Sequence, residues 1–186
     1  MKSSVLKDHP ARPVGAAVPP WDNYYSEHRI EAKGNGWRGW FDQQEGIGYN
    51  RHGQIASNQR LMQERLTNCG IKSRWIDCEL MGMRERVGLG TILIIDCFDP
   101  ANPKPLAERA KEFAHIEQAP FALPQNKLLR MPVIEHDKCA EAWEKMNQYN
   151  RGGLVWEGFV MKKDDRYPAI QDPSYCSLEW HKWRIL

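Results

Sequence analysis

A lysine, two glycines and an arginine crowd into the octet Glu31-Ala32-Lys33-Gly34-Asn35-Gly36-Trp37-Arg38. Lys33 in this setting reads as a nucleophile for a nucleotide phosphate. The glycines let backbone approach the phosphates closely, because no side chain stands in the way. Arg38 is placed to hold a nucleotide, or a phosphate, by a charge-assisted fork. Taken alone the octet also fits a tight turn between two surface strands, so its meaning depends on the rest of the chain.

Three further stretches carry matching chemistry. Glu79 stands in Asp77-Cys78-Glu79-Leu80, and Glu157 opens Glu157-Gly158-Phe159-Val160-Met161-Lys162. Lys182 and Arg184 lie two apart in Trp180-His181-Lys182-Trp183-Arg184, and period-2 strand geometry puts both cations on one face. Nucleotidyl transfer needs such a set: a carboxylate to anchor Mg²⁺ or a ribose hydroxyl, and cations to neutralise a triphosphate. Read singly, Glu79 also fits a salt bridge, Glu157 a surface turn and the terminal pair a solvated strand face. A free lysine, with a pKa near ~10.4, is neutral in only about one molecule in 10³ at pH 7, and an attacking amine must be neutral. Burial and nearby cations lower the pKa, and Lys182, Arg184 and a bound Mg²⁺ are expected to do this for Lys33.

The elements that must position these residues are mostly strands. The pattern predicts strands over 28–33, 37–41, 47–55, 71–81, 91–98, 128–134, 154–163 and 180–185. Helices are predicted from Ser57 or Asn58 to about residue 68, over 105–118, and from an Asp137 cap to residue 149. Neighbouring strands are often joined by turns, which predicts an α+β fold with largely antiparallel sheets flanked by helices. Residues 1–20, rich in Pro, Ala and Ser, read as a flexible N-terminal arm, and 21–186 as one folded domain. The aromatic cluster Trp21-Asp22-Asn23-Tyr24-Tyr25 is expected to open that domain as core.

Bulk properties set limits. A chain of 186 residues with 41% apolar residues and eight tryptophans buries a sizeable core as one domain. No run approaches the length of a membrane span, and no secretory signal is visible. The five cysteines lie far apart, without metal spacing, which predicts free thiols in a reducing cytoplasm. A net charge of +2 announces no nucleic-acid partner globally, so one would need a local basic face.

Together these motifs resemble the covalent nucleotidyltransferases: ATP-dependent DNA ligases, RNA ligases and mRNA capping enzymes, whose catalytic domain is ATP-grasp-like. That family's first motif, Lys-x-Asp-Gly-x-Arg, is matched by Lys33 to Arg38, with Asn35 in the aspartate's place. Its Asp-Gly-Glu-Leu is matched by Asp77 to Leu80, with Cys78 for glycine. Its Glu-Gly-x-Val-x-Lys is matched by Glu157 to Lys162, and its Trp-x-Lys-x-Lys by Trp180 to Arg184, with arginine for the last lysine. Arg51-His52-Gly53 resembles the Arg-x-Gly of DNA ligases.

The resemblance implies a lysyl-AMP formed on Lys33 from ATP, and sealing of 5′-phosphate/3′-hydroxyl nicks in duplex DNA or, alternatively, in an RNA-containing duplex. A nick-binding protein without catalysis is a further alternative. The resemblance gives Glu31 a part in adenine recognition. It gives Arg38 and Glu79 contacts to the nucleotide or its ribose, and Arg51 the nick's 5′-phosphate. Glu157 would bind the divalent metal, and Lys182 and Arg184 would hold the α-phosphate. The family stacks an aromatic on the base just before an aspartate; here Ile95 precedes Asp96 and Phe98 follows, and both stay candidates. No OB-fold sequence is recognisable after Arg184, which leaves three expectations: a catalytic domain that acts alone, a piece of a longer protein, or a partner that supplies the missing OB-fold function.

Overall fold

The computed structural model describes residues 12–168 and 176–184. In chain order its strands are β1 (Pro13–Gly15), β2 (Arg29–Gly34), β3 (Trp37–Asp42), β4 (Ile47–Asn50), β5 (Trp75–Leu80), β6 (Ile92–Phe98), β7 (Leu128–Arg130), β8 (Val133–Ile134), β9 (Trp156–Lys162) and β10 (Ser177–Arg184). The helices are α1 (Gln59–Leu66), α2 (Leu106–Glu112) and α3 (Cys139–Tyr149). Two five-stranded sheets result. Sheet one runs β1-β10-β9-β2-β8 and sheet two runs β4-β3-β5-β6-β7. All pairings are antiparallel except β1 with β10 and β6 with β7. The α+β class with largely antiparallel sheets is what the turn-joined strands predict.

Each sheet buries one face on helices and turns toward the other sheet a face that carries its charged residues, with Trp40, Trp75, Leu93 and Phe98 among them on sheet two. On sheet one, Ile30, Ala32, Phe159 and Met161 join a core with Cys139, Ala142 and Met146 of α3. On sheet two, Phe41, Ile76, Cys78, Ile92 and Ile94 join Met62 and Leu66 of α1 and Phe113 just past α2. Apolar residues at alternate strand positions therefore send the intervening ones, Glu31, Arg38, Asp77 and Glu79 among them, to the faces between the sheets. The two sheets are bridged directly: the Lys162 ammonium donates to the Ile95 carbonyl at 2.7 Å.

Several boundaries differ from expectation. The strand expected over 128–134 is two strands, because Pro132 lacks the N–H to continue a ladder. β7 pairs in sheet two and β8 in sheet one, so this segment staples the sheets together. The strand expected over 47–55 stops at Asn50, whose side chain accepts from the His52 and Gln54 N–H groups and turns the chain. The strand expected over 71–81 begins only at Trp75, and the helix expected over 105–118 covers Leu106–Glu112. Asp137 does not cap α3; it lies in a single 3-10 turn, His136–Lys138, that feeds it. The second half of the expected N-terminal arm is folded: β1 joins sheet one, and Ala16 and Val18 pack on the core. Residues 1–11 and 185–186 lie outside the described residues. Of the early aromatic cluster, Tyr25 is buried, whereas Trp21 and Tyr24 are exposed.

Candidate active site

The Lys33-to-Arg38 stretch is the crossing from sheet one to sheet two. Lys33 is the penultimate residue of β2, Asn35 and Gly36 make the crossing, and Arg38 is the second residue of β3. Two bonds hold the crossing to the segment entering β9. The Asn35 N–H donates to the Val155 carbonyl at 2.8 Å, and the Asn35 side-chain amide donates to the Leu154 carbonyl at 2.7 Å. Gly36 passes so close to β5 that a Cβ there would lie 2.4 Å from the Leu80 carbonyl oxygen. Its N–H donates to the Glu79 carboxylate at 3.0 Å.

Lys33 and Glu157 meet through a β-bulge. Strict alternation would put Glu157 on the apolar face with Phe159 and Met161. The register shifts between Lys33 and Gly34, which pair with Gly158 and Trp156, leaving Glu157 as the extra residue. Bulges re-aim side chains in this way. The Glu157 carboxylate then reaches the Lys33 ammonium at 2.5 Å and the Arg184 guanidinium at 3.3 Å. Gly158 permits this: its φ is 138°, and a Cβ there would lie 2.0 Å from the Trp183 carbonyl oxygen. Lys33 and Glu157 are 19% and 13% exposed, so the pair is accessible from the space between the sheets.

The remaining cations of sheet one line up by register. Lys182 pairs with Val160, and Arg184 with Gly158, so both share the face of Glu31 and Lys33. Burial, and then the Arg184 charge, lower the Lys182 pKa; Lys33 also acts on it. On sheet two, burial pushes the Glu79 carboxyl up to about 7, against the pull of Lys33 and Arg38.

Arg38 is held as well as placed. Its Nε donates to Asp77 at 2.9 Å, a second nitrogen pairs with the other Asp77 oxygen, and the guanidinium lies 5.7 Å from the Trp180 ring centre. Burial opposes its charge, and Asp77 outweighs burial, so its pKa stands above the ordinary value. Tyr167 completes the group, its hydroxyl donating to Asp77 at 2.5 Å.

Glu31 is buried and fully engaged, with Arg29 and Lys162 each at 2.6 Å. Phe98 is not brought to Lys33. It lies at the opposite end of β6, stacked with Tyr167 at 4.0 Å and packed among Trp40 at 5.2 Å and Trp75 at 6.4 Å. Arg51 is exposed on the turn after β4, at the same end of sheet two as Arg38, with its Nε 3.0 Å from His52.

Sequence reasoning missed Asp77, Lys162 and Tyr167. Asp77 and Lys162 sit inside two of the motifs, two residues from Glu79 and Val160, and period 2 alone puts them on the cleft faces. Nothing local marks Tyr167.

Among the described residues no group of three or more His, Cys, Asp and Glu side chains is placed to hold a metal. A Mg²⁺ carried by nucleotide phosphates needs only one or two carboxylates. Glu157, an accessible carboxylate beside three cations that suit phosphate, fits that role. No helix among the described residues is long and apolar enough to cross a membrane.

Neither a protein-family model nor a curated protein matches the chain. Solved structures do. A Lig E DNA ligase, described as binding DNA with a minimal scaffold, aligns with a TM-score of 0.59 at 12% identity, over 96% of this chain and 69% of its own. The Chlorella virus DNA ligase-adenylate aligns at 0.57 and 15%, over 87% and 62%. An archaeal ATP-dependent RNA ligase aligns at 0.58 and 16%, over 94% and 48%. The chain thus spans less than two thirds of the latter two, and it has the nucleotidyltransferase fold of these ligases.

Proposed function

We propose that this chain is an ATP-dependent adenylyltransferase of the polynucleotide-ligase type, with Lys33 as its nucleophile. The observation that supports this most is the bulge that carries Glu157 out of the core face and onto Lys33, beside Arg184. A purely structural strand has no need to place an accessible carboxylate there.

In this reading ATP enters between the sheets with its α-phosphate at Lys33. The Lys33 nitrogen attacks that phosphorus, a P–N bond forms, and the bond to the β-phosphate oxygen breaks with loss of pyrophosphate. Two protons must leave the Lys33 nitrogen, one from the ammonium before attack and one as the P–N bond forms; Glu157, in hydrogen-bond contact, is the base within reach for the first, and solvent takes the second. Lys182 and Arg184 face the developing negative charge on the α-phosphate. Mg²⁺, when bound, would neutralise phosphate charge, with Glu157 as its protein ligand. Glu79 fixes the Gly36 backbone and lies where a ribose hydroxyl can reach it. Arg38 is locked by Asp77, so it serves as a fixed positive wall of the nucleotide site. The AMP then passes to a 5′-phosphate, which Arg51 would hold, and a 3′-hydroxyl displaces it to seal the nick.

Duplex DNA is the proposed substrate, on the resemblance of Arg51-His52-Gly53 and the terminal Trp180-to-Arg184 segment to DNA ligases. An RNA-containing duplex is the second reading, favoured by the archaeal RNA ligase, whose fold agrees with this chain as well as the DNA ligases' folds do. A panel of nicked duplexes tests this, with DNA or RNA on each side of the nick and ATP as cofactor. Sealing of the all-DNA nick supports the first reading. Sealing that requires ribose 2′-hydroxyls at the nick supports the second. A chain that forms lysyl-AMP but seals none of them, even with added partner, refutes both substrates.

A further inference from the structure

The loop between β5 and β6, residues 81–91, rises where Leu80 pairs with Ile92. Leu80 also pairs with Trp37, so the loop stands at the end of sheet two beside the crossing that carries Lys33 and Gly36. Its base is buried at Met81, Gly82, Gly88 and Gly90, while Arg84, Glu85 and Arg86 at its tip are exposed. Arg86 has a φ of 56°, a left-handed conformation that a non-glycine residue adopts only when its surroundings enforce it. The enforcement is visible next door: Val87 packs against the core of sheet one. Keeping Val87 inside turns Arg86 outward.

The loop's charge is not neutralised locally. Among the described residues neither Arg84 nor Arg86 has an ion-pair partner, whereas Arg74, Lys104 and Arg109 on the same sheet's flank all do. The one acid at the tip, Glu85, leans toward the body of the molecule, its Oε2 2.9 Å from where a Gly153 Cβ would stand. Trp37, 49% exposed, pairs with Leu80 at the loop's base and shares its face, opposite to Arg38 and the cleft. A chain of net charge +2 has thus placed two uncompensated arginines on a loop that rises beside its candidate site.

We infer that Arg84 and Arg86 grip the phosphodiester backbone of a nucleic-acid duplex that lies across the Lys33 cleft. This rests on the polynucleotide-ligase reading of Lys33. Two unpaired guanidiniums next to a site that acts on polynucleotide ends suit phosphate oxygens, which they bind by charge-assisted forks. The arginines meet backbone only, so binding is independent of base sequence.

The test is fluorescence anisotropy of a labelled nicked DNA duplex over a range of salt concentrations. It compares wild type, Arg84→Ala/Arg86→Ala, Arg84→Lys/Arg86→Lys and, as a remote control, Lys145→Ala on α3. The alanine pair should weaken binding roughly tenfold or more. It should also flatten the slope of log Kd against log salt by about two, near one for each phosphate no longer neutralised. The lysine pair should restore most of the slope, and the control should bind as wild type does. Equal affinity and slope for wild type and the alanine pair overturn the inference, as does a wild type that does not bind duplex. Salt-dependent binding that disappears in the alanine pair, by a wild type that never forms lysyl-AMP, leaves the arginine grip standing and removes the ligase reading.

Discussion

The Asn35 side chain donates to the Leu154 carbonyl at 2.7 Å, tying the sheet-to-sheet crossing to the segment that leads into Glu157. Only a donor can make this bond. The aspartate that the resembled family carries here would set a carboxylate against a carbonyl oxygen, so the departure suits its surroundings. The other amide atom, Asn35 Oδ1, is buried with no hydrogen-bond partner in the structure.

Asn35→Asp should therefore destabilise the fold by about 1–3 kcal/mol at pH 7, the usual cost of leaving a buried polar group unpaired. Urea unfolding measures this. The loss should shrink at low pH, where a protonated aspartic acid can donate to Leu154.

Glu79 predicts a pH dependence of stability. Its folded pKa, about 7, lies above the ordinary value of 4.5. Between those values the folded protein keeps a proton that the unfolded chain gives up, so stability is full below pH 4.5 and falls as pH rises through 7. Glu79→Gln keeps the acceptor for the Gly36 N–H and removes the ionisation. The variant should lack this decline and be more stable than wild type at pH 8, by up to about 3 kcal/mol. Thermal melts from pH 4 to pH 8 would read it; parallel curves for the two proteins would contradict it.

Lys162 is the most consequential buried charge between the sheets. It pairs with Glu31, donates to the Ile95 carbonyl and lies 4.4 Å from the Trp180 ring centre. Lys162→Met leaves Glu31 with Arg29 alone and should cost about 3–5 kcal/mol, the range for breaking a buried pair on one side. Replacing both partners, as Lys162→Met with Glu31→Gln, should recover part of that loss, which a double-mutant cycle measures.

Much of the candidate site is legible in the chain because its residues sit in short local motifs. Lys33, Glu157, Lys182 and Arg184 do converge, and period 2 correctly puts Lys182 and Arg184 on one face. The fold class follows from turn-joined strands. What stays hidden depends on partners distant in sequence. Glu157 reaches Lys33 only through a bulge that alternation does not announce, although Gly158 is its trace. Arg38 is held by Asp77 and Tyr167, and Tyr167 lies 129 residues away. Phe98 is a reasonable candidate for base stacking by type, but Tyr167 already stacks on it and Trp40 and Trp75 pack around it. The sheet switch at Pro132 follows from a missing N–H, which a mostly apolar run over 128–134, interrupted at Arg130, masks.

The central claim is that Lys33 is a nucleophile toward ATP, and intact-mass measurement tests it most directly. Purified wild type and Lys33→Ala are each incubated with ATP and Mg²⁺ and weighed, with the starting masses recorded first. The account predicts that wild type gains the mass of one AMP, or already carries it as purified, and that Lys33→Ala does neither. A wild type whose mass is bare before and after, or a Lys33→Ala that gains AMP as wild type does, contradicts it.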